Sequence, residues 1–208
     1  VKQIAIKSKR VVSDCYAIDY SPQNYMLFVN DDFYLLNKKT LKPTRLPLQK
    51  EKIDSVSLIH FRVIRCIVDT VNGQQQFLLL VKTANGNVLF NYFPATGNLV
   101  PFVPQGFKKE DFRKGYTNIV KAGSGKYWIS TLYNGMIYVD GSGPAIQYAS
   151  TQKNTDKKIP DGEIVDFTMT ADNDLWLLMR DKGLVHISIY NKDVQYREIF
   201  AEKEGLTN

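Results

Sequence analysis

Histidine is nearly missing from this chain: there are two in 208 residues, His60 and His186. Each lies among apolar neighbours in a strand-like run. No H-x-x-x-H or C-x-x-C spacing occurs, and no carboxylate–histidine cluster, so the sequence shows no metal-ligand set and no catalytic constellation. Two cysteines, Cys15 and Cys66, are too few for a disulfide framework. Their apolar contexts, Asp14-Cys15-Tyr16-Ala17-Ile18 and Arg65-Cys66-Ile67-Val68, make both expected buried free thiols, with a disulfide as the alternative. No run approaches the roughly 18 apolar residues that would span a bilayer. The stretch Ile4–Ile6 is too short to form the core of a secretion signal. The chain begins on valine, as a piece cut from something longer would, which leaves its location open. A helical apolar face with caps is also missing throughout. The formal charge of +6 is spread out, apart from Lys2, Lys7, Lys9 and Arg10 and a patch from Lys38 to Lys52. Without a basic face interleaved with stacking aromatics, this is a solvated surface and no nucleic-acid site is expected.

What the chain has in quantity is tyrosine (12) and phenylalanine (11), residues that suit pleated, half-buried surfaces. Short apolar runs recur between Gly, Asn, Asp and Pro, among them Tyr25–Val29, Phe77–Val81, Tyr127–Thr131 and Leu175–Met179. After each comes a tight polar connection and a second run. Those connections are Asn30-Asp31-Asp32, Ala84-Asn85-Gly86-Asn87, Tyr133-Asn134-Gly135 and Asp181-Lys182-Gly183, residues that tolerate the positive φ of hairpin turns. Trp128 and Trp176 stand 48 residues apart, as do Gly135 and Gly183. Leu80, 48 residues before Trp128, is expected at the tryptophan position of the preceding unit. The first unit is looser, with 55 residues between Phe33 and Val88. A period of about 40–50 residues holding about four strands marks a propeller blade. A β-sandwich is the rival architecture, but it does not account for the repeat.

The expected fold is therefore all-β: about four four-stranded antiparallel blades in one segment over residues 1–208. The blades fall at 11–50, 53–104, 115–150 and 159–202, and residues 203–208 open a further repeat. Such a piece belongs to a larger ring of about seven blades, because few blades close poorly.

The last two units resemble the two-component regulator propeller repeat, whose core reads roughly V-x-x-I-x-x-D-x-x-G-x-L-W-I-G-T and then, after a turn, G-L. Ile164, Phe167, Leu175, Trp176 and Gly183-Leu184 match it in one copy. Ile119, Gly125, Tyr127, Trp128, Ile129, Thr131 and Gly135-Met136 match it in the other. Glu204-Gly205-Leu206-Thr207-Asn208 is similar to the opening of the next. Thr170 and Ala122 replace the family's Asp, Asn173 its Gly, and Ser130 and Leu178 the second Gly. The resemblance is specific over about residues 115–208 and holds by pattern elsewhere. It implies the extracytoplasmic sensor region of a membrane-bound histidine kinase, often a hybrid kinase of Bacteroides-like bacteria that senses glycans. The kinase and the membrane helix would lie outside this segment. That places the segment on the periplasmic side of the inner membrane, with an oligosaccharide as ligand and the remaining blades, or a second copy, as partners. The alternatives are a protein-interaction propeller and a propeller-fold carbohydrate-active enzyme.

Candidate ligand residues lie in the turns between middle strands, where aromatics and amides suit sugars: Tyr133, Asn134, Arg180, Asp181 and Asn85, with Asn30 and Asp31 beside them. No catalytic residue, metal ligand or cofactor is expected. Glu163 and Asp166 are three apart and point to opposite faces of a strand, so they cannot flank one glycosidic bond. Gly123-Ser124-Gly125-Lys126 lacks the spacing of a phosphate loop and reads as a hairpin turn. Trp128 and Trp176 are expected at equivalent, mostly buried positions in adjacent blades.

Overall fold

The computed structural model describes residues 15–50, 61–108, 115–151, 153, 155–170 and 174–200. His60, the basic N-terminal residues and the segment 204–208 lie outside them. The described residues form seventeen strands and one 3-10 turn at Thr155–Lys157. The strands make four sheets, three of four strands and one of five. They are propeller blades in chain order, and the chain divides into two compact units after Phe102.

In the first unit, β1 (Cys15–Asp19), β2 (Asn24–Val29), β3 (Asp32–Asn37) and β4 (Pro43–Arg45) form one meander. The second sheet runs β6 (Arg62–Val71), β7 (Gln74–Thr83), β8 (Gly86–Phe93) and β9 (Asn98–Pro101). A two-residue strand, β5 (Gln49–Lys50), adds to β9 in parallel. The apolar run Phe77–Val81 is buried on both faces, each side chain contributing roughly 1.5–3 kcal/mol. It has to be, because one face packs on the first sheet, where Phe33 meets Tyr92 of β8 edge to face at 4.7 Å.

The second unit holds β10 (Tyr116–Gly123), β11 (Lys126–Thr131), β12 (Met136–Val139) and β13 (Ile146–Tyr148). Its other sheet is β14 (Ile164–Met169), β15 (Asp174–Met179), β16 (Gly183–Tyr190) and β17 (Asp193–Phe200). The 48-residue period is exact in the ladder register. Trp128 pairs with Val120 and Tyr138, and Trp176 with Thr168 and His186. Even the bulge repeats, after Tyr116 in β10 and after Ile164 in β14. The Gly123–Lys126 segment is the β10–β11 hairpin turn, with Gly125 at φ 66°.

Two expectations need correction, and a third holds from one end of its strand only. Trp176 holds the equivalent position but is only half-buried, whereas Trp128 is 2% exposed. The fourth blade packs its other face on Trp128, while Trp176 is covered chiefly by His186, stacked at 4.3 Å, and Phe200 at 5.8 Å. Counted from the hairpin, Leu80 holds the tryptophan register, three residues before Thr83 as Trp128 is three before Thr131; counted from the first-strand bulge it does not. It pairs with Arg65 just past that bulge, as Ser130 pairs with Asn118, so by this count Leu78 stands in for Trp128. The cysteines are both free thiols, but Cys15 is exposed at the start of β1, and only Cys66 packs partly against the core. Burial pushes the Cys66 thiol well above its ordinary range.

Candidate functional site

The β2–β3, β7–β8, β11–β12 and β15–β16 turns carry every sequence-derived candidate. Two of them use the same lock. Thr131 Oγ1 donates to Gly135 O at 2.8 Å and accepts from Asn134 N at 2.9 Å. Thr83 repeats this with Gly86 O at 2.8 Å and Asn85 N at 3.2 Å. Buried threonines thus hold exposed turns in one shape, so binding residues there need not supply their own support. Asn30 takes φ 53° in the β2–β3 turn, a conformation asparagine accepts readily.

In the second unit the structure brings Tyr133 and Arg180 into one electrostatic neighbourhood. Leu132 N donates to Gly115 O at 2.8 Å, and Arg180 N to Glu163 O at 3.1 Å, so each turn is tied to the residue leading into its own blade's first strand. Arg180 then pairs bidentately with Glu163, Nε to Oε2 at 2.7 Å and Nη2 to Oε1 at 2.9 Å. That hydrogen-bonded pair lowers the Glu163 pKa and raises that of Arg180, with Asp181 and Tyr133 adding to the field at the guanidinium. Tyr133 is 71% exposed, within electrostatic reach of this guanidinium. Asn134 turns its carbonyl to Gln147 Nε2 at 3.0 Å, and Asp181 is exposed. An exposed ring within electrostatic reach of a planar, fully donating fork supplies an apolar platform and hydrogen-bonding edges in neighbouring turns. Asn85, also exposed, belongs to the first unit.

Sequence reasoning missed Glu163 as the partner of Arg180. The signal was present, since Gly115–Leu132 and Glu163–Arg180 are the same pair one period apart. Asp166 is not brought to Glu163. It faces the neighbouring blade, where Asn118 Nδ2 donates to its Oδ1 and, at 3.1 Å, to Phe167 O.

Two concavities are lined by described residues. A cleft of about 210 Å³ in the first unit is lined by Cys15, Tyr16, Phe28, Asn30, Arg62 and Ile64. A niche of about 100 Å³ in the second lies between Trp128, Tyr138 and Tyr148 and the Asn191–Lys192 turn. Lys192, on its lining, pairs with Asp140 at 2.7 Å. Among the described residues no group of three or more His, Cys, Asp or Glu could hold a metal, and no helix is long and apolar enough to cross a membrane.

The fold and its register define a class, the segment of a repeat-built β-propeller. No protein-family model matches the chain, and no curated protein matches it. Among solved structures it resembles the extracellular domain of a B. thetaiotaomicron protein described as the hybrid two-component system BT3049. The TM-score is 0.55 and the identity 18%, over 86% of this chain and 24% of that one. It also resembles the extracellular domain of BT4673 from the same organism, described as a one-component system, with TM-score 0.55 and 16% identity, over 85% of this chain and 21% of that one. A further likeness is to BBS1N, solved in complex with ARL6DN, at TM-score 0.50 and 11% identity over 84% of this chain and 49% of that one. The chain thus spans about a quarter and a fifth of the two bacterial domains. The bacterial pair is of the kind that the repeat motif implies, and the likeness is one of fold.

Proposed function

We propose that the chain is a ligand-recognition segment of an extracytoplasmic sensor in a two-component system. It reads an oligosaccharide and signals to a histidine kinase outside the segment, across the inner membrane. The observation that carries this is the fold likeness to the two bacterial extracellular domains over more than four fifths of the chain, joined to a repeat motif of the same kind in the last two blades. The segment itself binds and does not catalyse. Its ligand surface is the turn cluster of the second unit, Tyr133 with Arg180, Asn134 and Asp181, and Asn85 serves the equivalent turn of the first. Tyr133 stacks on an apolar sugar face, while Arg180, already oriented by Glu163, donates to hydroxyl or carboxylate oxygens.

Calorimetric titration with a panel of neutral and uronic-acid oligosaccharides tests the reading. One member should bind, and Tyr133→Ala should weaken it by tenfold or more, a loss of about 1.4 kcal/mol. Binding that ignores Tyr133→Ala refutes the site, and no binding across the panel refutes the ligand class. BBS1N, solved with a protein partner, favours a second reading as a protein-interaction propeller. That reading predicts capture of a polypeptide by the same turns.

A further inference from the structure

The dipeptide Asn-Gly occurs three times in this chain, at Asn72-Gly73, Asn85-Gly86 and Asn134-Gly135. In it an asparagine side chain reacts most readily with its own backbone, because glycine puts no Cβ in the way. The three copies have different settings. Asn72 and Gly73, at φ 52° and 75°, are the whole of the β6–β7 turn, closed by the Val71–Gln74 pair. Both are exposed, and a Cβ on Gly73 would find no neighbour within 4 Å. Asn85 is exposed too, but Gly86 already belongs to β8 and pairs with Thr83. Thr83 Oγ1 holds that turn from both sides, donating to Gly86 O and accepting from Asn85 N. Around Asn134-Gly135 the hold is tighter. Gly135 is buried, and its carbonyl accepts both Thr131 N at 2.9 Å and Thr131 Oγ1 at 2.8 Å. Asn134 N donates to the same Oγ1, and Asn134 O accepts from Gln147 Nε2.

We propose that Asn72-Gly73 is a site of spontaneous conversion of asparagine to aspartate and isoaspartate, and that the threonine locks keep this reaction out of the other two turns. Gly73 N gives its proton to hydroxide and attacks Asn72 Cγ. The new N–Cγ bond closes a five-membered succinimide. The Cγ–Nδ2 bond breaks, and ammonia leaves with a proton from water, which regenerates the hydroxide. A second water then opens the ring at either carbonyl. One opening gives aspartate, and the other gives isoaspartate, whose backbone runs through the side-chain carbon. Ammonia is lost, water is gained, and nothing is oxidised. Ring closure needs the peptide plane between the two residues to rotate, so the rate follows the population of the locally opened turn. Opening the Asn72 turn disturbs only the end of its own hairpin. Opening the Asn134 turn breaks the four hydrogen bonds just named and shifts a buried glycine. Conversion at Asn72 puts a negative charge, and in isoaspartate one extra backbone carbon, at the end of β7 remote from the Asn85 turn. The turns assigned to the ligand thus keep their amides while this hairpin ages. The proposal stands on the hydrogen bonding of the turns and holds with or without the sensor reading.

The test is peptide mapping by mass spectrometry after the full chain is incubated in mildly alkaline buffer, with the chain unfolded in urea as the reference for intrinsic reactivity. Unfolded, the three sites should react at similar rates. Folded, Asn72 should convert roughly tenfold or more faster than Asn134, with Asn85 between them. Thr83→Val should raise conversion at Asn85 toward that at Asn72, whereas Thr83→Ser, which keeps the hydroxyl, should leave it low. An Asn134 that keeps pace with Asn72 in the folded chain overturns the proposal, as does an Asn72 no faster than Asn85. Equal conversion at Asn85 in the valine and serine variants, both folded by their urea transitions, overturns the role of the lock. The comparison of the three sites needs no variant, so it decides the proposal even if Thr83→Val does not fold.

Discussion

Gly135 is the position where the structure leaves least room, and its replacement by alanine tests the packing quantitatively. Its φ is +73°, and a Cβ there would lie 2.0 Å from the Tyr148 carbonyl oxygen and 2.9 Å from Ala149 Cα. Both atoms are backbone, so relief requires the end of β13 to part from β12. The left-handed conformation alone costs a non-glycine residue about 1–2 kcal/mol, and the forced shift adds about 1–3 kcal/mol. Gly141 separates the two effects. It has nearly the same φ, +70°, but its Cβ would meet only Gly125 O at an ordinary 3.6 Å. Both glycines lie in the unit that contains Trp128 and Trp176, so tryptophan fluorescence during urea unfolding reports on each variant. Gly141→Ala should cost the conformational part alone, and Gly135→Ala should exceed it by about 1–3 kcal/mol at unchanged m. Equal losses would refute the contact geometry at Tyr148.

Two further outcomes use the same assay. Trp128→Ala should cost about 3–5 kcal/mol, as for a buried aromatic, while Trp176→Ala should cost about 1–2 kcal/mol, chiefly its stack on His186. Equal losses would mean that the fourth blade's open face is covered. The Asp140 carboxyl is held well below its ordinary 3.8 by Lys192 and by Ser142, which donates through Oγ at 2.7 Å and N at 3.0 Å. A carboxylate with a depressed folded pKa stabilises the fold above its unfolded value, and that contribution fades as pH falls through the lowered one. Asp140→Asn should therefore flatten the fall in urea midpoint below about pH 4 and leave its trend above pH 5 unchanged. An unaltered acid limb would show that the Lys192 pair carries no folding energy.

Strands and their order were legible because each apolar run is fenced by turn residues, and the 48-residue period placed Trp128 and Trp176 in the same register. The period agrees with only one of two structural counts at Leu80, and for a physical reason. β6 and β7 are each ten residues long, against eight and six for β10 and β11. Counting from the hairpin and counting from the bulge therefore give answers two residues apart. Burial of Trp176 and Cys15 was not legible, since it depends on what covers a face and not on local neighbours. β5 was invisible too, because Gln49-Lys50 is only two residues long and carries no apolar pattern. At the candidate site the turn residues were readable from composition. The Glu163–Arg180 pair needed the repeat to be applied to contacts as well as to motifs.

Because the register is fixed by the ladder, the turns of the third and fourth blades are interchangeable in length. Leu132-Tyr133-Asn134 and Arg180-Asp181-Lys182 each span three residues before a glycine, Gly135 at φ +73° and Gly183 at +76°. Each is tied to its blade's first strand by a backbone hydrogen bond, to Gly115 O or Glu163 O, and the Thr131 lock likewise takes a backbone N–H, which any non-proline residue can donate. Exchanging the two tripeptides should therefore leave folding nearly intact, since the exposed Arg180–Glu163 pair is a surface interaction of small worth. Recognition should change more. The aromatic ring would move one blade along, and the guanidinium would sit beside Gly115 without a carboxylate to orient it. The expected result is an unfolding midpoint close to that of the parent chain together with loss of oligosaccharide binding. Retained binding would show that these turns do not carry the ligand. A collapsed midpoint would show that the turns, and not the ladders beneath them, hold the two blades in register.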